Sequence, residues 1–296
     1  MGLFAPVDHF KIYDGVVDSG GGVDFTTLQA GDDELDAAAY SMWVKQATYD
    51  AGLTVSTNNV FVFLESGTIV QGDIVLSGTG ITLVLGGGCD IQGTVTISGI
   101  GSQVLCHNAC DLDGVIMSAD DGLFDGGGWD TLVNGSAARH AINISGDDCI
   151  ARNCAVQTTS GGGSSFEGII GSSDRVMIDR VKVISADDRG FQLSGGDNLV
   201  TNCLILDSDL DGIRINGPRA RVIGNYIISA GGDGIQLTDG ADNSICTGNI
   251  VKDQTNQSID INTDGEDCVV VSNRVDGAVA DNSGTSTVAS NDATAF

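Results

Sequence analysis

Four aspartates near the middle of the chain recur at a regular spacing and could act together as acids and bases. Asp211 and Asp233 each precede a glycine and lie one repeat apart, and Asp187 and Asp188 lie shortly before the glycine one repeat earlier. If such segments stack as neighbouring strands, the carboxylates of Asp211 and Asp233 lie about 5 Å apart. That separation is near the one between the two acids of retaining glycosidases. Arg214 follows closely and supplies a cation beside them.

The same residues are also explained as parts of turns. Asp-Gly is a favoured turn dipeptide, and Arg214 would then only neutralise the charge of its neighbours. No aromatic side chain on which a sugar ring could stack is found at the nearby outward strand positions. On this explanation the chain has no catalytic residue and no metal ligand. Both explanations stay open, with the four aspartates and Arg214 as the candidate site residues.

These acids lie within a repeat that extends from Glu167 to Asn282. Its anchor residues are the evenly spaced Gly168, Gly190, Gly212 and Gly234, and Ser258 follows at a slightly longer interval. After each anchor the sequence runs apolar, polar, apolar, as in Ile213-Arg214-Ile215. This period of two predicts short strands with the apolar side chains inward. A short repeat that is rich in turn residues predicts a solenoid with three short strands in each coil.

An asparagine column accompanies the repeat. It comprises Asn202, Asn225, Asn249 and Asn273, with Asp179 at the same place. Asparagine tolerates the backbone of a tight turn. We therefore expect the column at a turn inside the stack, with its side-chain amides bonded along the axis.

The repeat also divides the chain. Residues 1–32 match no coil and are predicted to be an attachment segment, and residues 33–57 a capping helix, over Asp33 to Ala51, with a linker. The helix is indicated by one apolar face, an acidic start and a glycine stop at Gly52. Coils follow over residues 58–282, where VFVFL, ITLVL and SQVLC recur at an even spacing, and residues 283–296 form a polar tail.

The charge of the chain excludes some partners. Its formal net charge is −27, which argues against nucleic acid or an anionic membrane surface. Nearly all the acid is aspartate, and there are only four lysines. Turn preference explains the aspartate, and adaptation to high salt is the alternative. The sequence has neither a secretory signal nor an apolar stretch that could span a membrane, so folding in cytoplasm is expected.

The eight cysteines are placed like small apolar residues. Cys89 and Cys110 hold one position of successive coils, and Cys154 and Cys203 directly follow an asparagine of the repeat. These are predicted inward positions, where cysteine packs as a small apolar side chain. The spacing of the cysteines and of the three histidines matches no structural zinc site.

The order of VDFTTLQA, a predicted helix and then VFVFLESGTIVQGDIVL resembles the start of the right-handed parallel β-helix superfamily of pectate-lyase-like proteins, which includes viral tailspikes and fibres. The resemblance covers roughly residues 20–282. It implies an all-β fold, a right-handed parallel β-helix solenoid with three strands per coil and an N-terminal capping α-helix. Glu65-Ser66-Gly67 replaces the proline-containing turn of the family. The fold hosts enzymes and inert adhesins alike, so it does not decide function.

Two further likenesses concern chemistry. Gly146-Asp147-Asp148-Cys149 looks like the paired-aspartate motif of polygalacturonases, but its segment aligns with the ordinary turn of the later repeats and the sequence lacks the family's His-Gly pair. The acids with Arg214 are similar to the sites of lyases of this fold, which hold calcium and a uronate. Calcium is therefore the one cofactor that the resemblance suggests.

The resemblance favours a non-enzymatic structural protein of the virion surface, made in host cytoplasm: a fibre, spike or capsid decoration. Its expected partners are other virion proteins, bound through residues 1–32, a host-surface glycan, and further copies of itself, with a trimer implied by the resemblance. The alternative is a polysaccharide-active enzyme, either lyase, glycoside hydrolase or epimerase. A third possibility is a bacterial surface adhesin exported without a classical signal.

Overall fold

The structure is a computed structural model that describes residues 15–17, 27–29, 41–135, 139–158, 166–263 and 265–293. The chain coils into a right-handed parallel β-helix whose strands form three long parallel sheets. Each coil contributes one strand to sheet 1, one to sheet 2 and one to sheet 3, in that order along the chain. Within the described residues, no helix is long and apolar enough to cross a membrane.

Sheet 1 has thirteen strands: β1 (Gly15–Val17), β2 (Ser41–Val44), β5 (Phe61–Leu64), β8 (Thr82–Leu85), β11 (Gln103–Cys106), β14 (Leu123–Asp125), β17 (Ile150–Arg152), β20 (Met177–Asp179), β23 (Leu199–Thr201), β26 (Arg221–Ile223), β29 (Ile245–Thr247), β32 (Val269–Val271) and β35 (Thr287–Ala289).

Sheet 2 has eleven strands: β3 (Thr48–Tyr49), β6 (Ile69–Val70), β9 (Asp90–Ile91), β12 (Asp111–Leu112), β15 (Leu132–Gly135), β18 (Ala155–Thr158), β21 (Lys182–Ser185), β24 (Leu204–Ile205), β27 (Tyr226–Ile228), β30 (Ile250–Lys252) and β33 (Arg274–Val275).

Sheet 3 also has eleven strands: β4 (Leu53–Val55), β7 (Ile74–Leu76), β10 (Val95–Ile97), β13 (Val115–Met117), β16 (Ile142–Ile144), β19 (Ile169–Gly171), β22 (Phe191–Leu193), β25 (Ile213–Ile215), β28 (Ile235–Leu237), β31 (Ile259–Ile261) and β34 (Val279–Asp281).

The apolar core is the column of inward side chains that runs along the axis. Ile213 and Ile215 of β25 are fully buried while Arg214 between them points outward, and the same alternation recurs in the coils above and below. Like positions stack directly, with Ile213 opposite Phe191 on one side and Ile235 on the other. All eight cysteines are buried and unbridged, which confirms their expected packing role.

The anchor glycines are required by the close approach of one coil to the next. A Cβ on Gly212 would lie 2.6 Å from the carbonyl oxygen of Gly234, and a Cβ on Gly190 would lie 2.5 Å from that of Gly212. Real Cβ atoms do not approach backbone oxygen so closely. Glycine therefore recurs in four successive coils at the start of the sheet 3 strand because those coils pack backbone on backbone there.

The asparagine ladder is present, with different members from those expected. Asn225, Asn249 and Asn273 are buried and form hydrogen bonds along the axis. Asn225 Nδ2 donates to Asn249 Oδ1 at 3.0 Å, and Asn249 Nδ2 donates to Asn273 Oδ1 at 2.9 Å. Asn291 continues the ladder at 3.0 Å from Asn273 Nδ2. Asn202 lies one position earlier, exposed and with φ +55°. The expected placement of Asn202 is therefore wrong, and so is that of Asp179, which pairs with Thr201.

The stretch from Ser41 to Ala51 corrects the predicted capping helix. It forms strands β2 and β3, with Met42 and Val44 inward, and β2 pairs with β5. Residues 33–40 of the predicted helix lie outside the described residues. The N-terminal segment also supplies β1, which pairs in parallel with β2 and so extends sheet 1 before residue 33.

The C-terminal end also departs from the expected division. Strand β35 pairs with β32 in sheet 1, and β34 pairs with β31 in sheet 3. The coils therefore continue beyond residue 282 into the segment that was predicted to be a tail, up to Ala289.

Candidate functional site

The candidate acids meet at the turn between sheet 2 and sheet 3. Because Ile213 pairs with Ile235, Asp211 and Asp233 occupy one position in adjacent coils, as the spacing predicted. Asp188 lies one coil away, and all three carboxylates are buried. Asp187 is half-buried, with one carboxylate oxygen that is enclosed and lacks a hydrogen bond. The structure thus brings the four predicted aspartates to one edge of the β-helix.

The acids belong to a longer line of polar residues, which we term the charged row. It consists of the residue two positions before each sheet 3 strand from β16 to β31: His140, Glu167, Arg189, Asp211, Asp233 and Gln257. The site is therefore a stack of like turn positions.

Arg189 is the main cation of the charged row. Its Nη1 lies 3.0 Å from Asp188 Oδ1 and 3.6 Å from Glu167 Oε1, and its Nε lies 3.3 Å from Asp211 Oδ2. Its side chain is only 15% exposed, so these pairs are poorly screened by solvent. The sequence had assigned this neutralising role to Arg214, whose Nε donates instead to Asn216 Oδ1 at 3.1 Å.

Glu167 and His140 continue the charged row beyond Arg189. His140 Nδ1 lies 2.8 Å from Glu167 Oε2, and the imidazole packs edge-on against the ring of Phe166, with centroids 5.2 Å apart. Burial raises the pKa of Glu167, but the contact with His140 and the charge of Arg189 outweigh it, so the net pKa is lowered. Glu167 is therefore held as a carboxylate.

Asp211 and Asp233 each bind the backbone of the next coil. The amide of Asp233 donates to Asp211 Oδ1 at 3.0 Å, and the amide of Gln257 donates to Asp233 Oδ1 at 2.8 Å. The second oxygen of Asp233 accepts from Gln236 Nε2 at 3.1 Å. These carboxylates therefore act as links between coils, which is the turn explanation given by the sequence.

Several acids of the site hold protons more tightly than usual. Burial is the largest cause of a raised pKa at Asp188, at Asp233 and at Asp260, the buried middle residue of β31, and neighbouring carboxylates raise it further. The pKa of Asp187 is also raised, by burial and by Asp209. A buried acid with a raised pKa can deliver a proton to a ligand, which is the chemistry of a general acid.

Sequence reasoning missed part of the site. His140, Glu167, Arg189 and Asp260 were not predicted. A signal existed for His140 and Arg189, which lie two residues before an apolar, polar, apolar triplet, but Glu167 precedes Ile169-Ile170-Gly171 and the residue types at this position differ. Among the described residues, no group of three or more His, Cys, Asp or Glu side chains is arranged to hold a metal ion. The calcium suggested by the resemblance thus finds no ligand set in this part of the chain.

The Asp147-Asp148 motif is a turn before strand β17 on the opposite side of the coil. Asp148 has φ +58° and forms two bonds with Arg175, with Nε to Oδ1 at 2.6 Å and Nη2 to Oδ2 at 2.8 Å. Asp197 repeats this conformation two coils later and pairs with Arg219. The motif is therefore an ordinary turn with exposed ion pairs, as its alignment with later coils indicated.

Comparison with known proteins identifies the fold family. No curated protein matches the chain. Among solved structures, ORF18 of Geobacillus virus E2 is 12% identical with a TM-score of 0.48, covering 84% of this chain and 51% of its own, so the chain spans about half of that protein. The A-module of the Azotobacter vinelandii mannuronan C-5 epimerase AlgE6 is 14% identical with a TM-score of 0.42, covering 90% and 93%. Shared folds at such identities carry no function. The family model described as a right-handed beta helix region matches residues 77–275, more than half of the chain, and the chain therefore belongs to the right-handed β-helix family.

Proposed function

We propose that the protein is a non-enzymatic structural protein of the virion surface: a fibre, spike or capsid decoration that attaches to a host-surface glycan. One observation carries the non-enzymatic part. Glu167, Asp188, Asp211 and Asp233 are each bound to a neighbouring side chain or coil, so they are engaged in holding the stack together. A rod of about eleven coils, roughly 50 Å long at strand spacing, is suited to projecting from a surface.

The virion part of the proposal is supported by the resemblance to tailspikes and fibres, which is a matter of sequence organisation. It is tested by analysing particles purified from a host that carries the gene. We expect the protein in the particle fraction at a fixed ratio to the major capsid protein. Its absence from intact particles would contradict the proposal.

The glycan part needs a separate measurement. We expect the purified protein to bind at least one host-surface polysaccharide on an immobilised panel without changing its length or composition. Binding to none of the glycans of a host that the particle infects would remove glycan attachment while leaving the structural role.

A polysaccharide-active enzyme is the second candidate, and Asp188 is the observation that favours it. Its carboxyl is buried, its pKa is raised by burial, and Arg189 and Arg214 both lower the cost of its charge. This is a setting for a general acid beside cations that could bind a uronate. Incubation with polysaccharides should then give new unsaturated ends, new reducing ends or inverted uronates, and Asp188→Asn should abolish the change. If the wild type changes none of these polysaccharides, the structural role is supported.

A further inference from the structure

The outer surface of sheet 1 is unusually apolar for a solvent-facing sheet. We term it the sheet 1 face, formed by the outward side chains of β14 to β32. One of its columns, seven strands long, contains six apolar side chains and one arginine: Leu123, Ile150, Met177, Leu199, Arg221, Ile245 and Val269. The six apolar ones are half-buried and the middle residue of each strand points into the core. Sheets that face water on one side normally carry polar residues there.

Large exposed apolar side chains also concentrate around this sheet. Among the described residues there are five of them. Trp129 follows β14 at the side of the face, Phe61 and Ile100 lie by earlier strands of sheet 1, and Val288 holds the inward position of the last strand, β35. The fifth, Leu210, lies between sheets 2 and 3. Contiguous apolar surface of this kind, rimmed by polar turns, is typical of a protein interface.

We propose that the sheet 1 face binds the same face of a second copy of this chain. The contact is isologous, since one patch meets itself, and it closes as a two-fold dimer. This differs from the trimer implied by the family resemblance, because a ring of three copies needs two different patches on each copy.

The charges on the sheet 1 face permit an equally acidic partner. Its outward charged residues are Asp125, Arg152, Asp179 and Arg221, whose formal charges sum to zero, while the whole chain carries −27. Asp125 and Arg152 already form a pair at 2.8 Å. Two copies that meet here therefore avoid most of the repulsion that opposes their contact elsewhere.

The size of the sheet 1 face fits a weak contact with a second copy. Its seven strands at strand spacing give a length of about 34 Å, and strands of three to four residues give a width of about 10–13 Å. The resulting area of roughly 340–440 Å² on each copy is that of a weak, reversible contact. Only a partner that is equally long and straight covers such a surface in full, and a second copy has that shape.

Sedimentation of the wild type and of matched variants tests the proposal. We expect a reversible monomer–dimer equilibrium between about 1 and 100 µM protein. Leu199→Asp should weaken it at least about 100-fold, because it places a charge at the centre of an apolar interface. The matched control is Ile116→Asp, which makes the same change at a half-buried outward position of sheet 3 and should leave dimerisation unchanged. Added salt should strengthen the dimer by screening the acidic rims.

Three results would overturn the same-face contact: a wild type that stays monomeric over the whole range, a mass of three copies, or equal loss of association in both variants. Circular dichroism establishes that each variant is folded. If Leu199→Asp is not folded, Met177→Gln provides the milder change at a neighbouring outward position. Chemical footprinting of the wild type then tests the same-face contact. Raising the protein concentration should protect the outward side chains of sheet 1 from modification and leave those of sheet 3 unchanged. Protection of sheet 1 by added glycan on a monomeric protein would contradict the proposal.

Discussion

At the scale of single residues, Arg189 is the cation that compensates three buried carboxylates at once. It contacts Glu167, Asp188 and Asp211, and all three carboxylates are less than a tenth exposed. Arg189→Ala should lower the free energy of unfolding by about 3–5 kcal/mol, because removal of one partner leaves buried charges uncompensated. Urea unfolding near neutral pH measures the loss.

Arg214→Ala is the control for Arg189→Ala. Arg214 lies on the same coil edge, but its described hydrogen bond is to the neutral side chain of Asn216. We expect a change of less than about 1 kcal/mol, as for ordinary surface positions. Equal destabilisation by the two variants would contradict the assignment of Arg189 as the main cation.

The link between coils at Asp233 gives a second prediction. Asp233→Asn keeps an oxygen that accepts from the amide of Gln257 and removes a charge that lies close to Asp211. We expect stability equal to or above the wild type near pH 8. Asp233→Ala leaves the buried amide without an acceptor and should cost about 1–3 kcal/mol. If both variants lose stability equally, the carboxylate charge rather than its acceptor oxygen is what the fold requires.

The sequence identified Asp211 and Asp233 because they share a residue type and lie one full repeat apart. It missed Arg189 and Glu167 because stacking relates residues of opposite charge, which a search for repeated types overlooks. This stacking of opposite charges becomes visible only when the strand registers are known. Two of the acids that Arg189 contacts, Glu167 and Asp211, therefore lie one coil away from it at the same position, which repeated residue types do not reveal.

At the scale of elements, the asparagine ladder joins successive coils inside the stack. Asn249 is fully buried, accepts from the amide of Asn225 at 2.9 Å and donates to the carbonyl of Val222 at 2.9 Å. Asn249→Ala should cost about 2–4 kcal/mol, since it leaves these buried backbone groups unpaired. Urea unfolding with an unchanged m-value is the measurement.

Asn202 is the matched control for the asparagine ladder, because it was expected in the same column but is exposed at φ +55°. Glycine adopts this backbone conformation readily, so Asn202→Gly should change stability by less than about 1 kcal/mol. A large loss in Asn202→Gly together with a small one in Asn249→Ala would restore the original column and contradict the ladder seen in the structure.

The helix predicted over Asp33 to Ala51 shows where elements could not be read from local pattern. Met42, Trp43 and Ala47 fit one face of a helix, but Met42 and Val44 fit one face of a strand equally well. The choice is made by β5, which offers a ready partner for β2 and whose residues Val62 and Leu64 extend the same inward columns. Pairing with the next coil thus overrides the local helix preference. In the later repeats the local side-chain pattern and the pairing both favour strands.

At the scale of the whole molecule, the carboxyl groups with raised pKa should set the pH of greatest stability. They are Asp111, Asp187, Asp188, Asp233 and Asp260, with burial as the largest cause in each. Their contribution is fully present below the ordinary aspartate value of about 3.9 and is lost as the pH rises through the higher folded-state values.

Asp125 and Glu167 have lowered pKa values and act in the opposite direction, losing their contribution as the pH falls below about 4. The melting temperature should therefore be highest at about pH 4–5 and decline toward about pH 8. Melting curves at constant ionic strength measure this, and Asp233→Asn should make the decline shallower. A melting temperature that rises steadily up to pH 8 would be incompatible with these shifts.

The excess of acid predicts that salt stabilises the rod. Forty acids face 13 bases, and the Debye length shrinks from about 10 Å at 0.1 M salt to about 3 Å at 1 M. Repulsion among the turn aspartates weakens accordingly, so the melting temperature should rise with sodium chloride. Measurements at low protein concentration separate this effect from dimerisation through the sheet 1 face. A gain that ends within the first few hundred millimolar, roughly where screening is complete, indicates ordinary electrostatics. A gain that continues into multimolar potassium chloride supports a high-salt host, and a loss of stability there would rule that host out.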